Sequence, residues 1–222
     1  MDLSLRMQIL KASCANLSNL GTIGAVQMDI RRQKIGAFTG LLAPILAFAC
    51  ILTAIASYPQ FSWSNNALSD LGVVKGLTGS LFNFGIYASG LLALAFAVLG
   101  LFVYLGKNWT GKIGSVIFAA AAVALICIGI FNERFSGTHY YFSVAFFVLV
   151  PISLFIITCS FLLASQARMA MFTLTAGIIA VLPWILLFAF HYVPDVAIPE
   201  TVSALAISVW TITLSYKMIK QA

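Results

Sequence analysis

Side chains able to do acid–base or metal chemistry are scarce in this sequence: two histidines and six acidic residues among 222. Both histidines, His139 and His191, and four of the acids, Asp70, Glu133, Asp195 and Glu200, fall at the same ends of successive apolar blocks or in the connections beside them. Two imidazoles with one or two carboxylates would suit a divalent metal such as zinc. An imidazole oriented by a carboxylate would equally suit a general base. Each residue also has a plainer explanation. Glu133 and Arg134 could form an exposed ion pair of little worth, and His139 could cap a helix start. Glu200 directly follows Pro199, where a carboxylate favours the positive end of a helix dipole. The spacing alone does not bring these groups together.

A second set is amide- and hydroxyl-rich. Ser64-Asn-Asn-Ala-Leu-Ser-Asp-Leu-Gly72 places Ala67, Leu68 and Leu71 on one face of a short helix. Ser64 or Asn65 would cap its start and Gly72 would end it in the left-handed region. Asn66, Ser69 and Asp70 then either line a polar pocket or serve only as local caps. Asn83 sits inside an apolar run, Phe82-Asn83-Phe84-Gly85. An amide there is costly unless bonded, so it should face protein rather than lipid.

The elements that must position these residues follow from composition. The chain is 62% hydrophobic and 8% charged, against roughly 25% charged in soluble domains. Its apolar residues form six blocks, near Ile35–Ala56, Leu81–Leu105, Ile113–Phe131, Tyr140–Ser165, Met169–His191 and Ile198–Tyr216. Each approaches the ~20 residues that span a bilayer as a helix. The fourth and fifth are separated only by Gln166, Ala167 and Arg168, which predicts a tight hairpin. The expected fold is an all-α bundle of six transmembrane helices over residues 35–216, with a segment 1–34 before it and a tail 217–222 after it.

Basic residues orient the bundle. With the N-terminus inside, Arg6, Lys11, Arg31, Arg32, Lys34, Lys107, Lys112, Arg168, Lys217 and Lys220 are cytoplasmic, and only Lys75 and Arg134 face outward. Ten against two is a strong positive-inside bias, so both termini are expected in the cytoplasm of a multi-pass protein of the cell membrane. The histidines and the four acids then lie at the outer face. The net charge of +6 comes from these flanking residues, with no basic stripe carrying interleaved aromatics. Nucleic acid is therefore not an expected partner, whereas anionic lipid head groups are.

Residues 1–27 read equally as an upstream extension, an interfacial helix or a mis-assigned start. The first block resembles a signal peptide, with Ala54-Ile-Ala56 before Ser57, but its apolar core exceeds the ~7–15 residues of such a segment. An uncleaved span is expected. Cys50, Cys127 and Cys159 lie within apolar blocks and Cys14 lies near the N-terminus, so all four are expected to be unpaired. Pro44, Pro151 and Pro183 interrupt spans, and Gly36 with Gly40 forms a close-packing pair. No phosphate-binding glycine loop, zinc-protease or nucleophile-elbow motif is present.

The segments 65–72, Phe82-Asn83-Phe84-Gly85, Phe131-Asn132-Glu133 and the stretch around His139 resemble an archaeal and bacterial integral membrane family, domain of unknown function 998. The resemblance covers about residues 35–216. It implies a six-helix bundle and a distant likeness to the Frag1/DRAM/Sfk1 membrane proteins, and it brings no established activity. The leading functional expectation is a non-enzymatic protein with an outward polar pocket for a lipid head group or small polar ligand, lined by Asn66, Ser69, Asp70, Asn83, Glu133, His139, His191 and Glu200. The alternative is an outer-face hydrolase or transferase acting on a lipid, with His139 or His191 as base and Glu133 or Glu200 orienting it. An accessory subunit of a membrane complex, or a homo-oligomer, also fits. A transporter is disfavoured because no ionisable residue lies near the middle of a span.

Overall fold

A computed structural model describes the backbone of residues 3–106 and 108–221 and the side chains of residues 24, 26–106 and 108–221. Asp2 and the side chains of Arg6, Lys11, Cys14 and Lys107 lie outside the described residues. Six long helices make up the fold: α1 Leu3–Ala56, α2 Leu77–Tyr104, α3 Trp109–Ile130, α4 Ser136–Leu163, α5 Ala167–Phe190 and α6 Ala197–Gln221. Each contains a stretch long and apolar enough to cross a membrane, in α1 from Val26 onward. The helices run past the boundaries expected from composition. α1 continues unbroken through residue 34 and α6 continues to Gln221.

Short connections make chain neighbours antiparallel, and α1 meets both α2 and α6, so the six close into a ring. The termini end of the bundle holds the ends of α2, α4 and α6. The opposite end carries the 57–76 connection and is called the lid end. The expected α4–α5 hairpin forms with Ser165 in the left-handed region at φ 56°. There the Gln166 amide donates to the Phe161 carbonyl at 2.9 Å, satisfying one of the carbonyls that a helix C-terminus leaves free. Asn108 caps α3 by accepting from the Gly111 amide at 2.7 Å.

Two packed clusters hold the ring. Toward the termini end, Trp210 is fully buried against Phe96 and Phe118 and donates its indole N–H to Thr173 at 3.0 Å. At the lid end, Leu71, Ile51, Phe82 and Ile128 pack together. The Gly36/Gly40 pair lies where α1 crosses α2 and α6. A methyl group on Gly36 would collide with the backbone of Gly100, and one on Gly40 with Phe96 and Ser215. Gly100 belongs to a π-helical stretch, Phe96–Leu101, that interrupts α2 at this crossing. Cys50, Cys127 and Cys159 are unpaired.

Candidate functional site

The lid is built around a 3₁₀ helix, Leu68–Val73. Its apolar face is the expected one: Ala67, Leu68 and Leu71 are buried against the bundle. Its caps differ from expectation. Asp70 reaches back to accept from the Ala67 amide at 3.0 Å and from Asn66 Nδ2 at 2.7 Å. Asn66 Oδ1 in turn accepts from the Ser62 amide at 2.9 Å. Gly72 keeps an ordinary φ, and Gly76 at φ 85° makes the turn into α2. Gly72 is needed for closeness instead, because a Cβ there would lie 2.6 Å from Asn83 Oδ1. Asn83, inside the apolar run of α2, donates to the Gly72 carbonyl at 2.8 Å, while its buried Oδ1 has no partner.

The lid is fastened from several sides. Glu200, near the start of α6, accepts the Leu68 amide proton at 2.7 Å. Glu133 accepts from the Ser69 hydroxyl at 2.6 Å. The Asp195 amide donates to the Ser64 carbonyl at 3.1 Å and the Ala197 amide to the Asn66 carbonyl at 2.9 Å. Glu200, only 7% exposed, therefore does more than complement its own helix. It ties α6 to a backbone group 132 residues away.

These bonds gather carboxylates. Glu133 stands beside Asp70, and both Glu133 and Glu200 feel the charges of Asp70 and Asp195. The side-chain and amide bonds that Asp70, Glu133 and Glu200 accept across the lid come from neutral donors. The exposed Arg134 guanidinium donates to the Val73 carbonyl at 3.4 Å. The lid end is thus an acidic layer with no cation built into those bonds.

Asn66, Ser69, Asp70, Asn83, Glu133 and Glu200 share this layer. The histidines are placed differently. His139 is buried, and its Nδ1 donates to the Phe131 carbonyl at 2.7 Å, tying the start of α4 to the end of α3. His191 is exposed and ends α5 in the left-handed region at φ 48°. Among the described residues, no three His, Cys, Asp or Glu side chains come together in a way that could hold a metal ion. The divalent-metal expectation for His139 and His191 gains no support from this geometry, nor does a base paired with Glu133 or Glu200.

Directly beneath the lid is a cavity of about 130 Å³. Its wall comes from α1, α2, α3, α4 and α6, and Leu68 with Ser69 forms its roof. The lining is largely apolar, including Ala47, Phe82, Ala122 and Phe146. Its polar points are Glu200 and Ser69 under the lid, with Ser89, Ser143, Ser208 and Thr211 on the helices. Neither histidine is among the lining residues. Composition did not disclose this cavity. One trace of it was nonetheless present, since Glu200, Ala204, Ser208 and Thr211 recur at intervals of four, four and three, the period of a single helix face.

A closed ring of six apolar helices, capped by a polar lid, defines a multi-pass α-helical membrane protein. The chain belongs to the family described as protein of unknown function DUF998, which it matches over residues 41–217. It matches no curated protein and no solved structure. The expected likeness to the Frag1/DRAM/Sfk1 proteins has no support among these findings.

Proposed function

We propose that this protein sits in the cell membrane with its lid outward and binds an amphiphile inside the bundle. The guest's apolar part fills the five-helix cavity, and its polar head meets the underside of the acidic layer. The observation that supports this most is that Glu200 and Ser69 belong at once to the lid layer and to the cavity wall. A void serving only as slack packing would be lined by carbon. One with a buried carboxylate at its roof offers a guest both an apolar wall and a polar anchor. The polar pocket expected from the sequence is thereby revised: the amides and carboxylates mostly bond one another, and the space lies below them.

Size limits the guest. A cavity of about 130 Å³ is comparable to the ~150 Å³ apolar void known to admit benzene. It takes a short stretch of one chain, so a two-tailed lipid could insert only part of itself.

The test is native mass spectrometry of protein purified in a mild neutral detergent, with the Ala204→Leu variant as control. Ala204 lines the cavity one turn below Glu200. A bound small amphiphile in the unsubstituted protein, and none in Ala204→Leu, is the expected result. A guest-free protein whose thermal stability responds to no added single-chain amphiphile would overturn the reading.

A further inference from the structure

Resting on that reading, we infer that the head group received beneath the lid is a cation, an ammonium on a single apolar chain, with Glu200 as its contact carboxylate. The charge layout selects it. Glu200 is at the roof of the cavity, and its bond to the Leu68 amide engages Oε2 alone. Asp70, Glu133 and Asp195 stand close enough to act on it electrostatically. Their partners across the lid are neutral amides and a hydroxyl, while the Arg134 guanidinium is turned to the Val73 carbonyl. A phosphate or carboxylate head entering this space would add to the crowding of acidic groups, whereas an ammonium beside Glu200 would favour its ionised form and pair with it.

A second polar residue lies deeper in the same cavity. Ser89 lines the same cavity, is 2% exposed, and its buried hydroxyl has no hydrogen-bond partner. Buried polar groups are ordinarily satisfied, so such an orphan calls for a reason. Two other buried side-chain oxygens without partners have a local one: Ser215 abuts Gly40 and Asn83 Oδ1 abuts Gly72. Ser89 is instead a lining residue of the cavity. It lies seven residues along α2 from Phe82, about 10 Å at the α-helical rise. The cavity therefore has an acidic side chain at its roof and a second polar residue two turns deeper, joined by apolar wall.

The experiment compares three probes that share an eight-carbon chain: octylamine, which is protonated at neutral pH, octanol and octyl phosphate. Thermal protection of the detergent-purified full chain is titrated with each. Octylamine should protect at a concentration at least tenfold below octanol, and octyl phosphate should not protect. Glu200→Gln keeps an acceptor for the Leu68 amide but cannot ionise to pair with an ammonium, and should bring octylamine to within threefold of octanol. Equal protection by octylamine and octanol, or a preference for octyl phosphate, would overturn the cation while leaving the amphiphile site standing. Protection by none of the three would remove the site itself. If Glu200→Gln is not recovered folded, Ala204→Leu serves: it fills the cavity one turn from Glu200, and an undiminished octylamine advantage in that variant overturns the inference.

Discussion

At the termini end of the bundle, α1 lies against the backbone of α2, because Gly36 has no side chain to hold Gly100 away. Trp210, Phe96 and Phe118 fill the space beside that crossing. At the lid end the same helices leave a void of about 130 Å³ and roof it with a polar segment whose bonds run mainly to carboxylates and carbonyls. In lipid, helices gain little by hiding apolar surface from one another, since the tails are equally apolar, so association depends on close contact and interhelical bonds. The glycine and aromatic end therefore joins close backbone contact to its fully buried aromatic core. The lid end also has close helix contacts, at Gly85 with Cys50 and at Gly129 with Tyr87, but it adjoins an interior space, and that is where a guest can matter.

The comparison depends first on which end faces outward, and topology has an all-or-none readout. The basic-residue asymmetry predicts that the lid faces outward. Single cysteines introduced at Lys75 or Ser136 should react with an impermeant thiol reagent on intact cells, and one at Lys220 should not. The reverse pattern would put the acidic layer in the cytoplasm and remove the basis for an outward-loading site.

Among stability effects the largest belong to the termini end. Trp210→Ala empties the best-filled position and leaves Thr173 without its indole donor. The expected loss is about 3–5 kcal/mol, in the range for aromatic truncation. Gly36→Val adds atoms where the nearest neighbour is backbone, which cannot swing aside, and should cost at least the ~1–3 kcal/mol of ordinary overpacking. Reversible denaturation in mixed micelles measures both. A loss below about 1 kcal/mol for Trp210→Ala, far under the range for such truncations, would show that the close-packed end is not where stability resides.

At the lid the effects are smaller and chemically specific. Glu200→Ala leaves the buried Leu68 amide without its acceptor, which should cost about 1–3 kcal/mol. Glu200→Gln keeps an acceptor and should cost less. The difference should appear as faster amide exchange in residues 66–72 of the alanine variant, with α3 and α6 unchanged. Uniform acceleration across the whole bundle would mean that Glu200 holds the fold together rather than the lid.

The number of spans, the hairpin at Gln166 and the buried face of the lid were all legible, because each follows from short-range periodicity or from bilayer thickness. Asn83 was legible for a different reason: an amide in an apolar run has to find a partner, and the Gly72 carbonyl is that partner. The lid's caps were not. Ser64, Asn65 and Gly72 fit the standard pattern for a short helix, but Asp70 capped backward and Gly72 was used for its lack of a side chain. The pairing of the histidines was equally illegible. Matching chain ends place two side chains at one membrane face without saying which way each points, and His139 turns to a backbone carbonyl while His191 remains exposed. The cavity depends on how five helices lean on one another, and spacing within any one of them carries only a share of that.

The smallest expected effect separates the two ends most sharply. Ala204→Leu inserts three more carbons into the bundle, one more than Gly36→Val adds beyond a Cβ. Growth of this kind is costly only where no room exists, and Ala204 borders the void rather than a facing backbone. New contacts with the cavity wall are worth ~0.1–0.2 kcal/mol per well-placed atom pair, offset by the rotamer freedom lost on confining a leucine, ~0.5–1 kcal/mol. The two contributions nearly cancel, so the stability of guest-free protein should change by less than about 1 kcal/mol in either direction. Amphiphile binding, in contrast, should be lost. If Ala204→Leu instead unfolds the protein as Gly36→Val is expected to, the space beneath the lid is not available to a guest, and both ends of the bundle are close-packed.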